Sequence, residues 1–213
     1  MENSLLKIKG KVMEKKFSHY FTNDESKEYR TYENIVEFNG KKYKYKTQDG
    51  VFSKNGIDDG SLFLVQTALK DNICGKGLDL GCGCGAISLL LQDNADVNML
   101  GGDINERAVN LANDNFNNNH IKAKAVVADV SIGIEDDDFD FVITNPPIRV
   151  GNATLFRFFE ESISKLKSGG AFYAVLRKKQ GADSYSKKIG NIYGNYQILD
   201  KHKGYVIVKS IKD

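Results

Sequence analysis

The alternation of short apolar runs with helical segments, from Ser61 towards the C-terminus, constrains the fold of this chain more than any other feature. The apolar runs predict strands at 77–80, 97–100, 123–128, 139–144 and 171–176. Helical spacing between them predicts helices at 61–70, 86–92, 105–117, 153–166 and 184–189. Ser61 is expected to cap the first helix, and Gly169-Gly170 to end the fourth. This alternation predicts a parallel, doubly wound sheet with helices on both faces.

The two ends of the chain add antiparallel pairs. Runs 196–199 and 205–208 are joined by a link too short for a parallel crossover, so they must pair antiparallel. Runs 34–40 and 41–47 meet at Asn39-Gly40, the strongest short-range signal for a β-hairpin. The expected fold is therefore α/β, with a doubly wound, mostly parallel seven-stranded sheet, an antiparallel last strand and a small N-terminal β-hairpin extension. Residues 1–50 would form this extension, packed on a main domain of residues 51–213.

Composition excludes several classes of protein. The 213 residues are 41% hydrophobic and 27% charged, which is typical of a globular domain and not of a fibrous or disordered chain. Because no apolar run is as long as a membrane span and the N-terminus has no secretory signal pattern, we expect a cytoplasmic protein without a membrane partner. Cys74, Cys82 and Cys84 lie near no histidine cluster, so neither a disulfide framework nor a metal site is expected.

Basic residues are unevenly distributed along the chain. Residues 165–213 contain 11 Lys and Arg against 3 Asp and Glu, which favours a surface that attracts a polyanion, although solvated lysines would give the same count. In the predicted hairpin, Lys42, Lys44 and Lys46 share one face. That face is either a phosphate-contacting strand or a hairpin edge protected by charge. Four further cations follow strand ends and are expected at the rim of a site there: Arg149, Arg177, Lys178 and Lys179.

A glycine-rich turn follows the first strand of the main domain. The segment Asp79-Leu80-Gly81-Cys82-Gly83-Cys84-Gly85 would let backbone N–H groups approach a ligand at the carboxyl end of the sheet. Residues 81–86 also fit a dinucleotide fingerprint, with Asp103 placed to bind ribose hydroxyls. The charge of Asp79, however, suits a sulfonium cation or an α-amino group better than a pyrophosphate. Asp129, at a later strand end, is placed to contact an adenine edge.

The strand predicted at 139–144 ends in Asn145-Pro146-Pro147. Two prolines fix φ and remove two N–H donors, so the turn presents acceptor oxygens, to which Asn145 adds its side-chain oxygen. Such acceptors suit a planar amine with two hydrogens, for which orientation at short range is the main catalytic lever. Asn-Pro is also a common turn former, but a dehydrogenase has no use for this motif.

Together these residues resemble the class I methyltransferases that use S-adenosylmethionine and modify planar nitrogens. Four further segments are similar to bacterial 16S ribosomal RNA guanine-N2 methyltransferases: His19-Tyr20-Phe21-Thr22, Gly50-Val51-Phe52-Ser53, Asp58-x-Gly60 and Lys203-Gly204-Tyr205. The resemblance runs from about His19 to Val208. It implies a Rossmann-like methyltransferase sheet and S-adenosylmethionine as the cofactor.

The resemblance also implies a role for each site residue. Cofactor-binding residues would be Asp79, Gly81, Gly83, Gly85, Asp103, Ile104, Asp129 and Asn145. The target amine would be held by Asn145, Pro146 and Pro147, and the substrate pocket would be lined by Phe52, Ser53, Ile148 and Arg149. Many relatives have an aromatic residue at the position of Ile148, where stacking on the target base contributes roughly 1–3 kcal/mol. Another ring, such as that of Phe52, would have to replace it.

The expected activity is methyl transfer from S-adenosylmethionine to guanine N2, with ribosomal RNA or the small ribosomal subunit as partner. The target base must be unpaired or flipped out of a helix to reach such a pocket. The same motifs would serve transfer to a release-factor glutamine amide or to adenine N6 in nucleic acid. Two different classes of protein stay open, an NAD-linked oxidoreductase and a noncatalytic RNA-binding domain, and the intact acids and glycines argue against the second.

Overall fold

Nine strands and five α-helices lie within residues 29–51 and 56–213, the part of the chain that this computed structural model describes. The strands are β1 (Thr31–Phe38), β2 (Lys41–Gln48), β3 (Gly75–Leu80), β4 (Val97–Asp103), β5 (Lys124–Val127), β6 (Phe139–Thr144), β7 (Leu166–Arg177), β8 (Gln197–His202) and β9 (Tyr205–Ile211). The helices are α1 (Asp59–Lys70), α2 (Ala86–Asn94), α3 (Glu106–Asn118), α4 (Asn152–Lys165) and α5 (Ala182–Tyr193). None of these helices is long and apolar enough to cross a membrane.

Seven of the strands form one mixed sheet in the order β5-β4-β3-β6-β7-β9-β8. Neighbouring strands from β5 to β7 are parallel, and β9 is antiparallel to both β7 and β8. The predicted seven-stranded, mostly parallel sheet with an antiparallel last strand is therefore confirmed. The chain order reverses at β3, which has β4 on one side and β6 on the other. Sheets of this kind bind ligands at such a switch point, outside the carboxyl ends of the strands.

Helices cover both faces of the sheet, as predicted. One buried apolar cluster lies under α1, α2 and α3 and includes Leu64, Leu89 and Phe116. A second cluster lies under α4 and α5 and includes Phe159 and Ile189. Because both faces are buried, the central strands have near-continuous apolar sequences instead of an alternating pattern.

The first helix begins earlier than the sequence predicted. Asp58, not Ser61, is the N-cap of α1. The Oδ1 atom of Asp58 accepts hydrogen bonds from the N–H groups of Gly60 (3.0 Å) and Ser61 (3.2 Å). A carboxylate at this position satisfies free N–H groups and also complements the helix dipole, so it competes well with a serine three residues later.

The fourth helix also ends earlier than predicted. Gly169 and Gly170 do not end it, because α4 stops at Lys165 and both glycines lie inside β7. Leu166, the next residue, is extended, 1% exposed and paired with Phe139 of β6. The burial of this leucine in the sheet outweighs the helical pattern that continues up to it.

The N-terminal hairpin forms as predicted. β1 and β2 pair antiparallel around Asn39 and Gly40, whose φ angles are 48° and 75°. Tyr43 and Tyr45 are each 3% exposed and belong to the apolar cluster under α1, α2 and α3. Lys42, Lys44 and Lys46, which alternate with these tyrosines, face away from that cluster, so the predicted period of two is confirmed.

Two asparagines hold the hairpin against α3. The side chain of Asn119 bonds the N–H and carbonyl groups of Lys44, at 2.9 and 2.8 Å. The side chain of Asn115 bonds the same groups of Lys46, at 2.7 and 3.0 Å. Each side-chain amide therefore satisfies the backbone N–H and carbonyl groups of one β2 residue, as a neighbouring strand would. These bonds fix the hairpin on α3, one of the helices that cover the main sheet.

Candidate cofactor and substrate site

The turn after β3 forms one wall of the candidate site. The N–H groups of Gly81 and Cys82 both donate to the carbonyl of Gly102 in β4, at 2.8 and 3.0 Å. The N–H group of Gly83 donates to the Asp103 carboxylate at 2.9 Å. Gly83 has a φ of 53°, and no neighbouring atom of residues 29–51 and 56–213 lies within 4 Å of the position that a Cβ would occupy there. The turn is thus fixed to β4 and leaves open space beside Gly83, which suits close approach of a ligand.

Gly85 has a different environment from Gly83. A Cβ on Gly85 would lie 2.7 Å from the Phe116 ring and 3.0 Å from the Ala112 side chain, both on α3. The α-carbon of Gly85 therefore faces the core, where its small size allows α2 and α3 to pack closely. Gly81 is intermediate, since its Cβ would lie 3.0 Å from the Phe158 ring.

Asp79 is a fully buried carboxylate at the end of β3. Its Oδ2 atom accepts a hydrogen bond from the Ser88 hydroxyl at 2.9 Å, whereas its Oδ1 atom has no partner among the described residues. Burial raises the pKa of Asp79 from 3.8 to about 7, although the hydrogen bonds from Ser88 act in the opposite direction. A buried carboxylate oxygen without a partner is unfavourable, and a cationic ligand group beside it would restore its charge. This atom fits the expectation that Asp79 faces a positive charge.

Asp103 ends β4 and organises the turn beside it. Its two oxygens accept hydrogen bonds from the N–H groups of Gly83 and Asn105, each at 2.9 Å. Burial raises the pKa of Asp103, and the same two hydrogen bonds oppose that effect. Each carboxylate oxygen retains a lone pair for a further donor, such as a ribose hydroxyl. Ile104, the next residue, is 44% exposed beside it and offers an apolar surface at the same strand end.

Asp129 lies beyond the end of β5 and is bound by an arginine that sequence analysis missed. The Nη1 atom of Arg157 donates to Asp129 Oδ1 at 2.9 Å, and Arg157 Nε also donates to Glu161 at 2.7 Å. The Glu161 carboxylate in turn accepts from the N–H and hydroxyl groups of Ser131. This network fixes the turn after β5 and leaves the Oδ2 atom of Asp129 for another donor. Contact with an adenine edge stays a prediction.

Asn145 follows β6 and has a fixed amide orientation. Its Nδ2 atom donates to both oxygens of Asp58, at 3.2 and 3.3 Å, and to the hydroxyl oxygen of Ser61 at 3.0 Å. Ser61 donates its own proton to Asp58 at 2.6 Å, so its oxygen can only accept from Asn145. The amide nitrogen must therefore face Asp58, and Oδ1 of Asn145 must face the other way.

The sheet register places Asn145 beside the glycine turn. β3 and β6 are adjacent and parallel, with Asp79 opposite Ile143. Gly81 and Asn145 each lie two residues farther along, so they leave the sheet side by side from strands about 4.8 Å apart. The structure thereby brings the predicted amine-binding turn next to the predicted cofactor turn.

The prolines after Asn145 form a tight turn. Pro147 has φ −75° and ψ 78°, the values of an inverse γ-turn, and the Ile148 N–H group donates to the Pro146 carbonyl at 2.9 Å. The Pro146 carbonyl retains a second lone pair for another donor. Ile148 is half-buried against the core under α4 and α5, whereas Arg149 is exposed. Their roles in substrate binding stay predictions.

Sequence analysis found the acids at the strand ends but missed the side chains that hold them. Ser88, Arg157 and the paired action of Asp58 and Ser61 on Asn145 belong to this group. Asp58 was one of the residues that carried the family resemblance, yet its position in the sequence gives no sign of its contact with Asn145. Phe52 and Ser53, predicted to line the substrate pocket, lie outside the described residues, as do residues 19–22.

The chain is similar to several known proteins. Uncharacterized protein YbxB of Bacillus subtilis is 34% identical over 197 residues, which cover 91% of this chain and 98% of YbxB. Ribosomal RNA small subunit methyltransferase C of Actinobacillus pleuropneumoniae is 29% identical over 190 residues, which cover 82% of this chain and 56% of that protein. The chain therefore spans nearly all of YbxB but about half the length of such methyltransferase C relatives.

A solved structure extends this similarity to three dimensions. The 16S rRNA N2 G1207 methyltransferase RsmC of T. thermophilus, in complex with AdoMet and guanosine, matches with a TM-score of 0.77 and 26% identity. The match covers 86% of this chain and 51% of that one. A profile of the methyltransferase small domain matches residues 42–209, most of the chain. With this match and the 34% identity to YbxB, the chain belongs to the methyltransferase small domain family.

Proposed function

We propose that this protein transfers a methyl group from S-adenosylmethionine to the exocyclic N2 amine of a guanine in small-subunit ribosomal RNA. The observation that carries the proposal is the fixed orientation of Asn145, whose amide nitrogen is held by Asp58 and Ser61. That orientation leaves an acceptor oxygen next to the glycine turn. The T. thermophilus neighbour, which is named for N2 methylation of G1207 and was solved with AdoMet and guanosine, supports both the cofactor and the acceptor.

The residues at the ends of β3 and β4 suit this cofactor. Asp79 and the turn of Gly81 and Gly83 would hold the methionine part, where the partnerless Oδ1 of Asp79 can accept a hydrogen bond from the α-ammonium group. Asp103 would bind the ribose and Asp129 the adenine. When bound, S-adenosylmethionine supplies an electrophilic methyl group. The open space beside Gly83 leaves room for a ligand, and the partnerless buried carboxylate oxygen of Asp79 favours one with a positive charge.

The turn after β6 would orient the target amine. Oδ1 of Asn145 and the carbonyl oxygen of Pro146 accept its two hydrogens, which directs the nitrogen lone pair out of the plane of the base. This effect is needed because the lone pair of an exocyclic amine is delocalised and weakly nucleophilic. Neither acceptor is basic enough to remove a proton, so the methylated nitrogen loses its proton to water. Catalysis then rests on position and orientation.

Transfer of a tritiated methyl group to three acceptors tests this proposal. The acceptors are undermodified small-subunit ribosomal RNA, intact small subunits that lack the modification, and a translation release factor. We expect label in RNA or subunits, and digestion to nucleosides should recover it as N2-methylguanosine. Label on the release factor alone, or recovery as N6-methyladenosine, would refute the assignment of the acceptor.

The variant Asn145→Ala tests the role of the amine-binding turn. Because Asn145 acts on the amine, its loss should reduce transfer by on the order of 100- to 1000-fold, as removal of one oriented hydrogen-bonding group does in other active sites. Binding of S-adenosylhomocysteine, measured by calorimetry, should be nearly unchanged. If transfer and binding were lost together, Asn145 would have been assigned the wrong role.

A further inference from the structure

A group of exposed cations lies at the end of β7 and just after it, and around the turn from β8 to β9. We call it the basic rim and define it by five residues: Arg177, Lys178, Lys179, Lys201 and Lys203. All five are exposed, and none has a carboxylate within 4.0 Å among the described residues. Cations without partners remain free to release counterions to a polyanion.

Backbone contacts hold the two halves of the basic rim together. Arg177 pairs with Tyr205 across β7 and β9, and its guanidinium carbon lies 4.8 Å from the centre of the Tyr205 ring. The N–H group of Lys178 donates to the carbonyl of Gly204 at 2.9 Å. Since Gly204 follows Lys203 in the tight turn of this antiparallel pair, the cations of both segments form one surface.

The basic rim lies beside the proposed amine-binding turn. Thr144 of β6 is opposite Ala174 of β7, so β7 continues three residues past the end of β6 to reach Arg177. At about 3.3 Å per residue, Arg177 lies roughly 10 Å beyond the level of Thr144 and roughly 7 Å beyond that of Asn145.

A second line of contacts joins the basic rim to the same turn. A Cβ on Gly60 would lie only 2.9 Å from the Tyr205 ring, so the first turn of α1 packs directly against that ring. The same turn begins at Asp58, which binds Asn145. The basic rim is therefore connected to Asn145 through Tyr205, Gly60 and Asp58.

The lysines of the hairpin are a poorer candidate for the same role. Lys46 lies 3.4 Å from Glu33, Lys42 is opposite Glu37, and Lys41 binds Asp93 at 2.9 Å. Two of the three lysines on that face, Lys42 and Lys46, thus have an acidic residue across the hairpin, which offsets their charge.

The hairpin turn also lies far from the site. Asn39 bonds Asn94, the last residue of α2, at 3.2 Å. Because α2 begins beside the glycine turn and runs away from it, its last residue is at the opposite edge of the sheet. The lysines at the turn end of the hairpin, Lys41 and Lys42, therefore lie away from Asn145.

We infer that the basic rim binds the phosphates of a single-stranded RNA segment next to the target nucleotide. This inference rests on the proposed function, because it takes the acceptor to be RNA, but it assigns a surface that the catalytic chemistry does not require. Three acidic residues lie close to it in the sequence or the structure: Asp59, Asp183 and Asp200. Asp200 lies 3.9 Å from Lys70, and Asp59 lines an open cavity of about 170 Å³ together with Lys203 and Tyr205. With these three carboxylates counted, the five cations are still in excess, which favours a polyanion over an acidic protein surface.

Salt-dependent RNA binding tests this inference. The rim variant is Lys178→Gln/Lys179→Gln/Lys203→Gln, and the matched control is Lys42→Gln/Lys44→Gln/Lys122→Gln, which removes the same charge from the hairpin and the loop after α3. The probe is a fluorescent 20-nucleotide single-stranded RNA, titrated from about 50 to 200 mM salt. Three lost phosphate contacts should reduce the slope of log K against log salt by about 2 and weaken binding by about 100-fold at 0.1 M salt. The control should bind within about threefold of the wild type.

The outcomes separate this inference from the proposed function. Equal binding by the rim variant and the wild type, or a larger loss in the control, would refute the role of the basic rim even if RNA methylation is found. Rim-dependent RNA binding by a wild-type protein that methylates no RNA would support the surface and refute the acceptor. Calorimetry with S-adenosylhomocysteine should give the same affinity for both variants as for the wild type. A loss of that affinity in the rim variant would show general damage to the fold and overturn the interpretation of its RNA binding.

Discussion

Replacement of Asp79 by asparagine should stabilise the ligand-free protein at alkaline pH and weaken cofactor binding at the same time. Burial raises the pKa of Asp79 from 3.8 to about 7, so the folded protein holds this proton more tightly than the unfolded chain does. The free energy of unfolding therefore falls as the pH rises from about 4 to about 7. The full effect of this pKa change is about 4 kcal/mol. Asparagine has no charge to bury and still offers an oxygen to the Ser88 hydroxyl.

Chemical denaturation of the ligand-free wild type and Asp79→Asn at several pH values measures this effect. The two free energies of unfolding should be similar near pH 4, and the variant should be more stable by up to about 4 kcal/mol near pH 8. The difference between the two proteins isolates Asp79, because Asp103 and the other acids titrate in both. Ser88→Ala provides a matched test: it removes a hydrogen bond that lowers the pKa of Asp79, so the loss of stability should still begin near pH 4 but should continue to a higher pH than in the wild type.

Cofactor binding should change in the opposite direction. A hydrogen bond to a charged group contributes about 1.5–3 kcal/mol, so Asp79→Asn should weaken S-adenosylhomocysteine binding by about 10- to 150-fold near pH 8. Near pH 6, binding to the wild type should release up to about one proton, which calorimetry in buffers of different ionisation enthalpy detects. Unchanged affinity in the variant would refute the assignment of Asp79 to a cationic ligand group, and stability curves that stay parallel from pH 4 to pH 8 would refute the raised pKa of its carboxyl group.

Three further substitutions test the rest of the site. Asp58→Asn keeps a good N-cap for α1 but removes the carboxylate that orients Asn145, so kcat should fall by at least tenfold while thermal stability and S-adenosylhomocysteine affinity change little; an unchanged kcat would refute this positioning role. Asp103→Ala should weaken cofactor binding by tenfold or more, since it removes both the proposed ribose contact and the acceptor for the Gly83 N–H group; calorimetry checks this, and full affinity would exclude Asp103 from the site. Arg157→Ala should weaken cofactor binding to a smaller extent, about two- to tenfold, through loss of the network at Asp129, and a larger loss than in Asp103→Ala would reverse the proposed ranking of these residues.

Local patterns were sufficient to predict the sheet and the positions of the acids. The apolar run at 139–144 and the helical spacing at 105–117 are patterns of residues that are close together in the sequence. The structure has β6 and α3 at nearly those bounds. The hairpin at Asn39-Gly40 is equally local, because the positive φ angles belong to the turn residues themselves. The rule that ligands bind at the carboxyl ends of strands then places Asp79, Asp103 and Asn145 at one edge without further information.

The supporting contacts could not be predicted in this way because they join distant parts of the chain. Asp58 and Asn145 are 87 residues apart, and Asp129 and Arg157 are 28 apart. Such pairs depend on which strand ends are adjacent in the sheet and on where each helix begins relative to those strand ends. The error at Ser61 has the same origin: a serine at the start of an apolar run is a good cap by local rules, and the tertiary role of Asp58 lies outside those rules.

The first turn of α1 links the parts of the proposed mechanism. Asp58 caps the helix and also orients Asn145, so the same carboxylate contributes to folding and to the geometry of the acceptor oxygen. Two residues later, Gly60 packs against Tyr205, which lies under Arg177 of the basic rim. The packing of Arg177 and the orientation of Asn145 therefore depend on the same helix turn. A glycine suits position 60, because a Cβ there would lie 2.9 Å from the Tyr205 ring and 3.0 Å from Asp58 Oδ1, so one of these side chains would have to shift.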